Sequence, residues 1–87
     1  MIDQAEPDRV IGSLTKNSRE SVTVALRTYN GHRYCDVRVM ASKPDGGTTP
    51  TKKGVTLKAG SLPELIGVLQ RAHAAAVQAG WCDGDGV

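Results

Sequence analysis

The sequence is poor in the bulky side chains that build large cores. It has no Phe, and aromatic residues make up only 3% of its 87 residues. A single domain of this length is only marginally stable by itself. We therefore expect one domain, and a partner subunit that buries more apolar surface would stabilise it.

Potential metal ligands and long apolar runs are also scarce. The cysteines and histidines are Cys35, Cys82, His32 and His73. They lack the spacing of a zinc site, so we expect neither a metal nor a cofactor. No run approaches the roughly 20 apolar residues that cross a bilayer, and the N-terminus does not resemble a signal peptide. These absences predict a soluble, cytoplasmic protein that does not bind a membrane.

Charge is distributed unevenly along the chain. All eleven Lys and Arg residues lie between residues 9 and 71, against four acidic residues, which gives this segment a net charge of +7. Residues 1–8 and 72–87 carry only acidic charges. A basic segment of this density is typical of proteins that bind phosphate groups. A merely solvated basic surface would have the same composition.

Alternating apolar and polar residues predict four strands, at 10–14, 22–29, 33–41 and 53–58. Asn30-Gly31 predicts a tight hairpin between the second and third, because both residues tolerate positive φ. The polar segment from Ser42 to Thr51 predicts a mobile loop. The alternation places Val, Leu and Cys on one face of the sheet, and Arg, Lys, Thr and Tyr on the other. The sheet should therefore have one apolar and one cationic face.

A helix should follow the fourth strand. Ser61 and Glu64 have the spacing of a capping box, and Gly80 suits a C-terminal cap against which Trp81 packs. Leucine and isoleucine at helical spacing predict that the helix covers the apolar face of the sheet. The element order β-β-β-β-α makes this an α+β domain over residues 9–80. An acidic flexible tail, 1–8, precedes it and a short tail, 81–87, follows.

Two segments of the strand region are the most specific parts of the sequence: Tyr29-Asn-Gly-His-Arg-Tyr-Cys-Asp-Val-Arg38 and Pro50-Thr-Lys-Lys-Gly-Val-Thr-Leu57. Together they resemble the positive cofactor four family of single-stranded-DNA-binding transcriptional coactivators, which includes short stand-alone bacterial proteins. The resemblance covers about residues 10 to 72. It implies a curved antiparallel sheet, and a homodimer formed through the helices whose grooves hold unpaired DNA. The helix residues expected at the dimer interface are Leu65, Val68, Leu69, Ala72 and Ala75, several of which are small enough for close approach.

The resemblance also implies which residues contact DNA. Those expected to meet backbone phosphates are Arg27, Arg38, Lys52, Lys53 and Lys58. Tyr29 matches an aromatic position that stacks on a base, and Tyr34 is a second candidate that equally fits cross-strand packing. Asn30, His32 and Arg33 form the hairpin tip, where family members carry further polar and basic DNA contacts.

Two positions depart from the family pattern. Met40-Ala41 stand where many members have an aromatic residue, and Thr49 stands where a basic residue often precedes the proline of the fourth strand. Both departures predict weaker binding or a different preferred ligand.

The favoured function is a dimeric, nucleoid-associated protein that binds single-stranded DNA in transcription regulation or DNA maintenance, with the transcription machinery as a further partner. The alternative is a protein-interaction module of the same fold with weak nucleic-acid affinity. RNA is also open as a ligand, because stacking and phosphate contacts do not distinguish the sugars. Nothing supports an enzyme: Asp36 has no second carboxylate or nucleophile beside it. Asp36 is instead predicted to form an exposed structural ion pair with Arg38.

Overall fold

The computed structural model describes residues 8–82 and confirms the predicted α+β architecture. The strands are β1 (Arg9–Thr15), β2 (Glu20–Tyr29), β3 (His32–Ser42) and β4 (Thr48–Lys58). A three-residue 3-10 turn, Ala59–Ser61, leads into helix α1 (Leu62–Gln78). The strands form one antiparallel sheet in the order β1-β2-β3-β4. The tails predicted at either end lie outside the described residues, apart from Asp8, Trp81 and Cys82.

The β2–β3 hairpin has the tight turn that the sequence predicts. Asn30 and Gly31 have φ angles of 51° and 77°, and Tyr29 pairs directly with His32. Positive φ at both central residues is typical of a type I′ turn, whose twist matches that of the two strands. The turn therefore fixes the β2–β3 register, and with it the face on which each side chain lies.

That register sorts the strand residues into two faces, as the alternation predicts. The apolar face comprises Val22, Val24, Leu26, Cys35, Val37, Val39, Val55 and Leu57. The arginine face comprises Thr23, Ala25, Arg27, Tyr29, His32, Tyr34, Asp36, Arg38, Thr56 and Lys58. Apart from Arg9 and Arg33, which lie on the apolar side, the predicted separation of apolar from cationic side chains is confirmed.

Strand β4 begins earlier than predicted, so the loop expected from Ser42 to Thr51 is wrong. Thr48, Thr49 and Pro50 pair with the end of β3, and only residues 43–47 form the turn. β4 is an edge strand, where a proline without an N–H group can be accommodated. Threonine also favours extended backbone. The tight turn is closed by a 2.8 Å bond from the Lys43 N–H to the Gly47 carbonyl.

A bulge interrupts β4 where the basic residues lie. Arg38 pairs with Gly54, but Met40 pairs with Pro50. Two steps along β3 therefore match four along β4, which leaves residues 51–53 opposite Val39. Such a bulge bends the strand and redirects its side chains. We call residues 51–53 the β4 bulge.

The ends of the helix agree only in part with prediction. Ser61 makes no side-chain cap hydrogen bond, so the predicted capping box is wrong. Its backbone is already helical, with φ −85° and ψ −5°, whereas capping residues ordinarily have extended backbone. At the other end Gly80 (φ 78°) supplies the predicted cap, but Trp81 is 83% exposed instead of packing against the helix.

Helix α1 does not cover the apolar face, and that prediction is wrong. No residue of α1 is buried, and Ile66 and Leu69 are 51% and 57% exposed. α1 makes few contacts with the strands; helical spacing determines which side of the helix is apolar, but not which surface covers that side. Across residues 8–82, the only apolar residues that are buried are Ala25 and Cys35.

No helix in the part of the chain that the structure describes is long and apolar enough to cross a membrane.

Candidate nucleic-acid interface

A buried carboxylate lies at the centre of the arginine face. Asp36 is only 4% exposed, so the predicted exposed pair with Arg38 is wrong in its burial. Arg38 donates to both carboxylate oxygens, from Nη2 to Oδ1 at 2.7 Å and from Nε to Oδ2 at 3.3 Å. The Thr56 hydroxyl donates to Oδ1 at 2.7 Å. The hydrogen bond from Arg38, assisted by Thr56, outweighs burial and holds the pKa of Asp36 below its usual value.

Arg38 is committed mainly to contacts within the protein. Besides Asp36, it donates from Nη2 to Thr56 Oγ1 at 3.3 Å and from Nη1 to the Thr51 carbonyl at 3.4 Å. A guanidinium has five N–H donors, so four of them point at protein acceptors and one remains. The side chain is 22% exposed. Arg38 therefore joins β3 to β4, and it has little capacity left for the phosphate contact that the sequence predicts.

Gly54 provides the space that Arg38 needs. A Cβ at this position would lie 2.5 Å from the Val37 carbonyl oxygen and 3.0 Å from both Cα and Cζ of Arg38. Since real Cβ atoms essentially never approach backbone so closely, only glycine fits at this position of β4, where the strand passes the Val37 carbonyl and the Arg38 side chain. Steric packing against β3 therefore requires the glycine of the Pro50–Leu57 segment.

Arg27 lies between two carboxylates. Its Nη1 is 2.7 Å from Asp8 Oδ2, and its Nε is 3.7 Å from Asp36 Oδ2. Arg9 pairs with Leu26, so the preceding residue, Asp8, comes opposite Arg27. Sequence reasoning assigned Asp8 to a flexible tail and missed this contact. The usable signal is its position two residues before the predicted first strand, which the structure extends to Arg9.

Most of the other predicted contact residues share this face. Tyr29, which is 69% exposed, pairs with His32, and Tyr34 lies between Arg27 and Lys58. The rings of His32 and Tyr34 are 6.4 Å apart and tilted by 57°. Asn30 lies in the exposed turn.

Arg33 lies on the other face of the sheet, where it pairs with Thr28. It helps to line a pocket of about 120 Å³ to which Arg9, Leu26, Arg27 and Tyr34 also contribute. Neighbouring strand residues point to opposite faces, so Arg33 does not share a face with Tyr29, although it lines the same pocket as Arg27.

Lys52 and Lys53 lie in the β4 bulge and are exposed. They belong to β4, the edge strand of the sheet, and the irregular register interrupts the alternation of faces there. Lys53 is close enough to Glu20 for its charge to add to the lowering of the pKa of that carboxyl, which the hydrogen bond from Lys16 causes in the first place.

The segments that carry the arginine face lie within a region that matches a known protein family. The profile of the family described as Transcriptional Coactivator p15 (PC4) matches residues 13–68, which is more than half of the chain. The chain belongs to the PC4 family. This result confirms the resemblance seen in the sequence. The family is one of DNA-binding transcriptional coactivators.

Solved structures of PC4 homologues have the same fold. One crystal form of BPSL1147, a PC4 homolog from Burkholderia pseudomallei, is 27% identical, with a TM-score of 0.72 over 80% of this chain and 95% of that chain. A second crystal form is 29% identical, with a TM-score of 0.69 over 76% and 97%. A bacteriophage T5 homologue of PC4, implicated in recombination-dependent DNA replication, is 18% identical, with a TM-score of 0.57 over 85% and 82%, and shows the fold alone. Comparison with curated proteins gives no match.

The contact between Asp8 and Arg27 leads to a prediction about DNA affinity in this PC4-family chain. Replacing Asp8 with Asn should raise the affinity for single-stranded DNA about two- to fivefold, because the carboxylate occupies the guanidinium that a phosphate would use. Both side chains are about half exposed, and an exposed pair of this kind is worth roughly 1 kcal/mol or less. Fluorescence anisotropy with a labelled oligonucleotide measures the change.

Asp45→Asn is the matched control for this substitution. It changes the net charge equally, but Asp45 lies in the β3–β4 turn, 3.8 Å from Lys43. Equal affinity gains in the two variants would attribute the effect to net charge and contradict a specific role of Asp8.

Proposed function

We propose that this protein is a homodimer that binds single-stranded DNA without catalysis, in the transcription regulation or DNA maintenance of a bacterial nucleoid. The observation that carries the proposal is the exposed Tyr29 on the same face as Arg27 and Lys58. An aromatic ring beside cations suits an unpaired strand, which offers bases for stacking and phosphates for charge neutralisation. A duplex hides its bases in the stack.

The two kinds of contact have separate roles in this proposal. Lys52, Lys53 and Lys58 meet backbone phosphates and release counterions, which makes binding strong but independent of sequence. Tyr29 stacks on a base, a contact worth about 1 to 3 kcal/mol that accepts any base. Arg27 joins them when a phosphate displaces Asp8. Membership of a family of single-stranded-DNA-binding coactivators supports single-stranded DNA as the ligand.

Exposed apolar surface supports the homodimer. Val68 and Leu69 are 46% and 57% exposed on the helix, and residues 8–82 contain almost no buried apolar side chains. A chain of this size needs buried apolar surface to fold stably. A second copy whose helix packs against α1 would supply it, with Leu65, Ala72 and Ala75 at the same contact.

One observation favours a second candidate, a protein-interaction module with weak nucleic-acid affinity. Arg27 is paired with Asp8 and Asp36, and most N–H donors of Arg38 form hydrogen bonds within the protein. The arginine face therefore offers less free positive charge than its composition indicates. A transcription-machinery subunit that remains bound after nuclease treatment would support this candidate.

Fluorescence anisotropy tests the proposed function directly. The protein is titrated into a labelled single strand, the matching duplex and the matching RNA strand, each at about 50 and 200 mM salt. We expect the DNA single strand to bind more tightly than the duplex, and its affinity to fall steeply with salt, with a logarithmic slope of about −0.7 per phosphate contact. Weak, salt-insensitive binding to all three ligands would overturn the proposal.

Tyr29 variants separate stacking from charge in the same experiment. Tyr29→Ala should weaken single-strand binding about tenfold while leaving the salt slope unchanged, because stacking releases no counterions. Tyr29→Phe keeps the ring and should bind like the wild type. RNA that binds as tightly as DNA would identify RNA as an additional ligand.

A further inference from the structure

The side chain of Thr51 makes hydrogen bonds within the β4 bulge that a regular strand would not need. Its hydroxyl donates to the Val39 carbonyl at 2.8 Å and accepts the Lys53 N–H at 3.1 Å. Its own carbonyl accepts the 3.4 Å bond from Arg38 Nη1. Thr51 is thus joined to β3 at two points and to the bulge itself at a third.

These bonds replace ladder bonds that the bulge removes. Three residues of β4 face one residue of β3, so regular pairing is lost over residues 51–53. Unpaired backbone of this kind ordinarily bonds to water and is free to move. The Thr51 hydroxyl instead takes both roles, as acceptor for the bulge and as donor to β3.

The arginine bond to Thr51 depends on the buried cluster. Arg38 reaches the Thr51 carbonyl because Asp36 holds the other edge of its guanidinium, and because Gly54 leaves room for the side chain against β4. The bulge is therefore braced from the centre of the arginine face. Its conformation is therefore connected to Asp36 and Arg38 on the neighbouring strand, β3.

We infer that Thr51 is a positioning residue for nucleic-acid binding. It fixes the backbone conformation of the β4 bulge, and so defines the positions from which the Lys52 and Lys53 side chains reach phosphates. The inference rests on the proposed function. Ordering this segment in advance reduces the entropy lost when the two lysines contact phosphates. Arg38 contributes to the same positioning, because it acts by holding the bulge and not chiefly as a phosphate ligand.

Hydrogen exchange tests the brace without any DNA. Thr51→Val keeps the size and branching of the side chain but lacks the hydroxyl, and Thr51→Ser keeps the hydroxyl. In Thr51→Val we expect the Lys53 amide to exchange at least about tenfold faster, as measured by NMR, while amides of the β2–β3 hairpin stay unchanged. Thr51→Ser should match the wild type. An unchanged Lys53 rate in Thr51→Val would overturn the inference.

A double-mutant cycle tests the consequence for binding. Thr51→Val should weaken single-strand binding about three- to tenfold, and in a Lys52→Ala, Lys53→Ala background it should change binding less than about twofold. An equal loss in both backgrounds would show general destabilisation and overturn the inference, as would no loss in either. Failure of the wild type itself to bind would overturn the proposed function, whereas the exchange result still decides whether the brace exists.

Discussion

Replacing Asp36 with Asn should destabilise the folded protein by about 2 to 3 kcal/mol, although the side chain keeps its size. The asparagine has one acceptor oxygen in place of two, and its NH₂ group would face donors of Arg38 or Thr56. The partly buried guanidinium of Arg38 stays in place without the buried negative charge that compensates it, and removing one partner of such a pair is costly. Urea unfolding at one fixed protein concentration measures the loss.

The control for Asp36→Asn is Asp45→Asn, which removes a carboxylate from the exposed turn. Surface changes of this kind ordinarily alter stability by less than about 0.5 kcal/mol. A loss for Asp36→Asn no greater than that of the control would contradict the structural role of the cluster.

The same carboxylate should make the stability depend on pH. The Arg38 hydrogen bond lowers the pKa of Asp36 in the folded protein, so the unfolded chain takes up this proton first as the pH falls. The stabilisation by Asp36 is therefore complete above its unfolded pKa of about 4 and is lost as the pH falls through the lower folded pKa. The difference in stability between wild type and Asp36→Asn should be constant between about pH 5 and 7 and shrink below pH 4. A difference that stays constant down to about pH 2 would contradict the lowered pKa.

Local pattern was sufficient to predict the sheet and its two faces. The alternation around Val24 and Val37 gives the period of two, and Asn30-Gly31 fixes the hairpin register on which every face assignment depends. One residue of slip would have moved Arg27 and Tyr29 to the apolar face. Both segments that carried the family resemblance are local as well.

The burial of Asp36 could not be predicted in the same way. Alternation places it on the arginine face, where an isolated carboxylate reads as solvent-exposed. Its burial depends on Arg38 folding across β4, which needs Gly54 on another strand. The Asp8–Arg27 contact likewise depends on the β1–β2 register, which has no turn signal as strong as Asn30-Gly31 to announce it. These contacts are decided by pairing between strands, and sequence spacing does not encode that pairing directly.

The helix shows a different limit of sequence reasoning. The spacing of Leu62, Leu65 and Leu69 correctly indicates an amphipathic helix with an apolar face to bury. It does not indicate whether the surface that covers this face belongs to the same chain. In the structure α1 makes few contacts with its own sheet, and a second copy is the proposed partner for its apolar face.

Replacing Leu69 with Asp should therefore abolish self-association. Leu69 is 57% exposed within one chain, and in the proposed homodimer it lies between the two helices. A twofold axis brings both copies of a substitution into one interface, so two carboxylates would be taken out of water without partners. We expect a dimer at micromolar concentration for the wild type and a dimerisation constant at least about 100-fold weaker for the variant, measured by light scattering and sedimentation.

Ala74→Asp is the matched control, because it introduces the same charge on the opposite side of α1. Ala74 is nine residues from Leu65, which places it about 180° away around the helix axis. This variant should remain dimeric and keep a concentration-dependent unfolding midpoint, whereas Leu69→Asp should lose that dependence together with much of its stability, because folding and association are linked. A monomeric wild type, or a Leu69→Asp protein that associates as tightly as Ala74→Asp, would show that the exposed helix face is not the dimer contact.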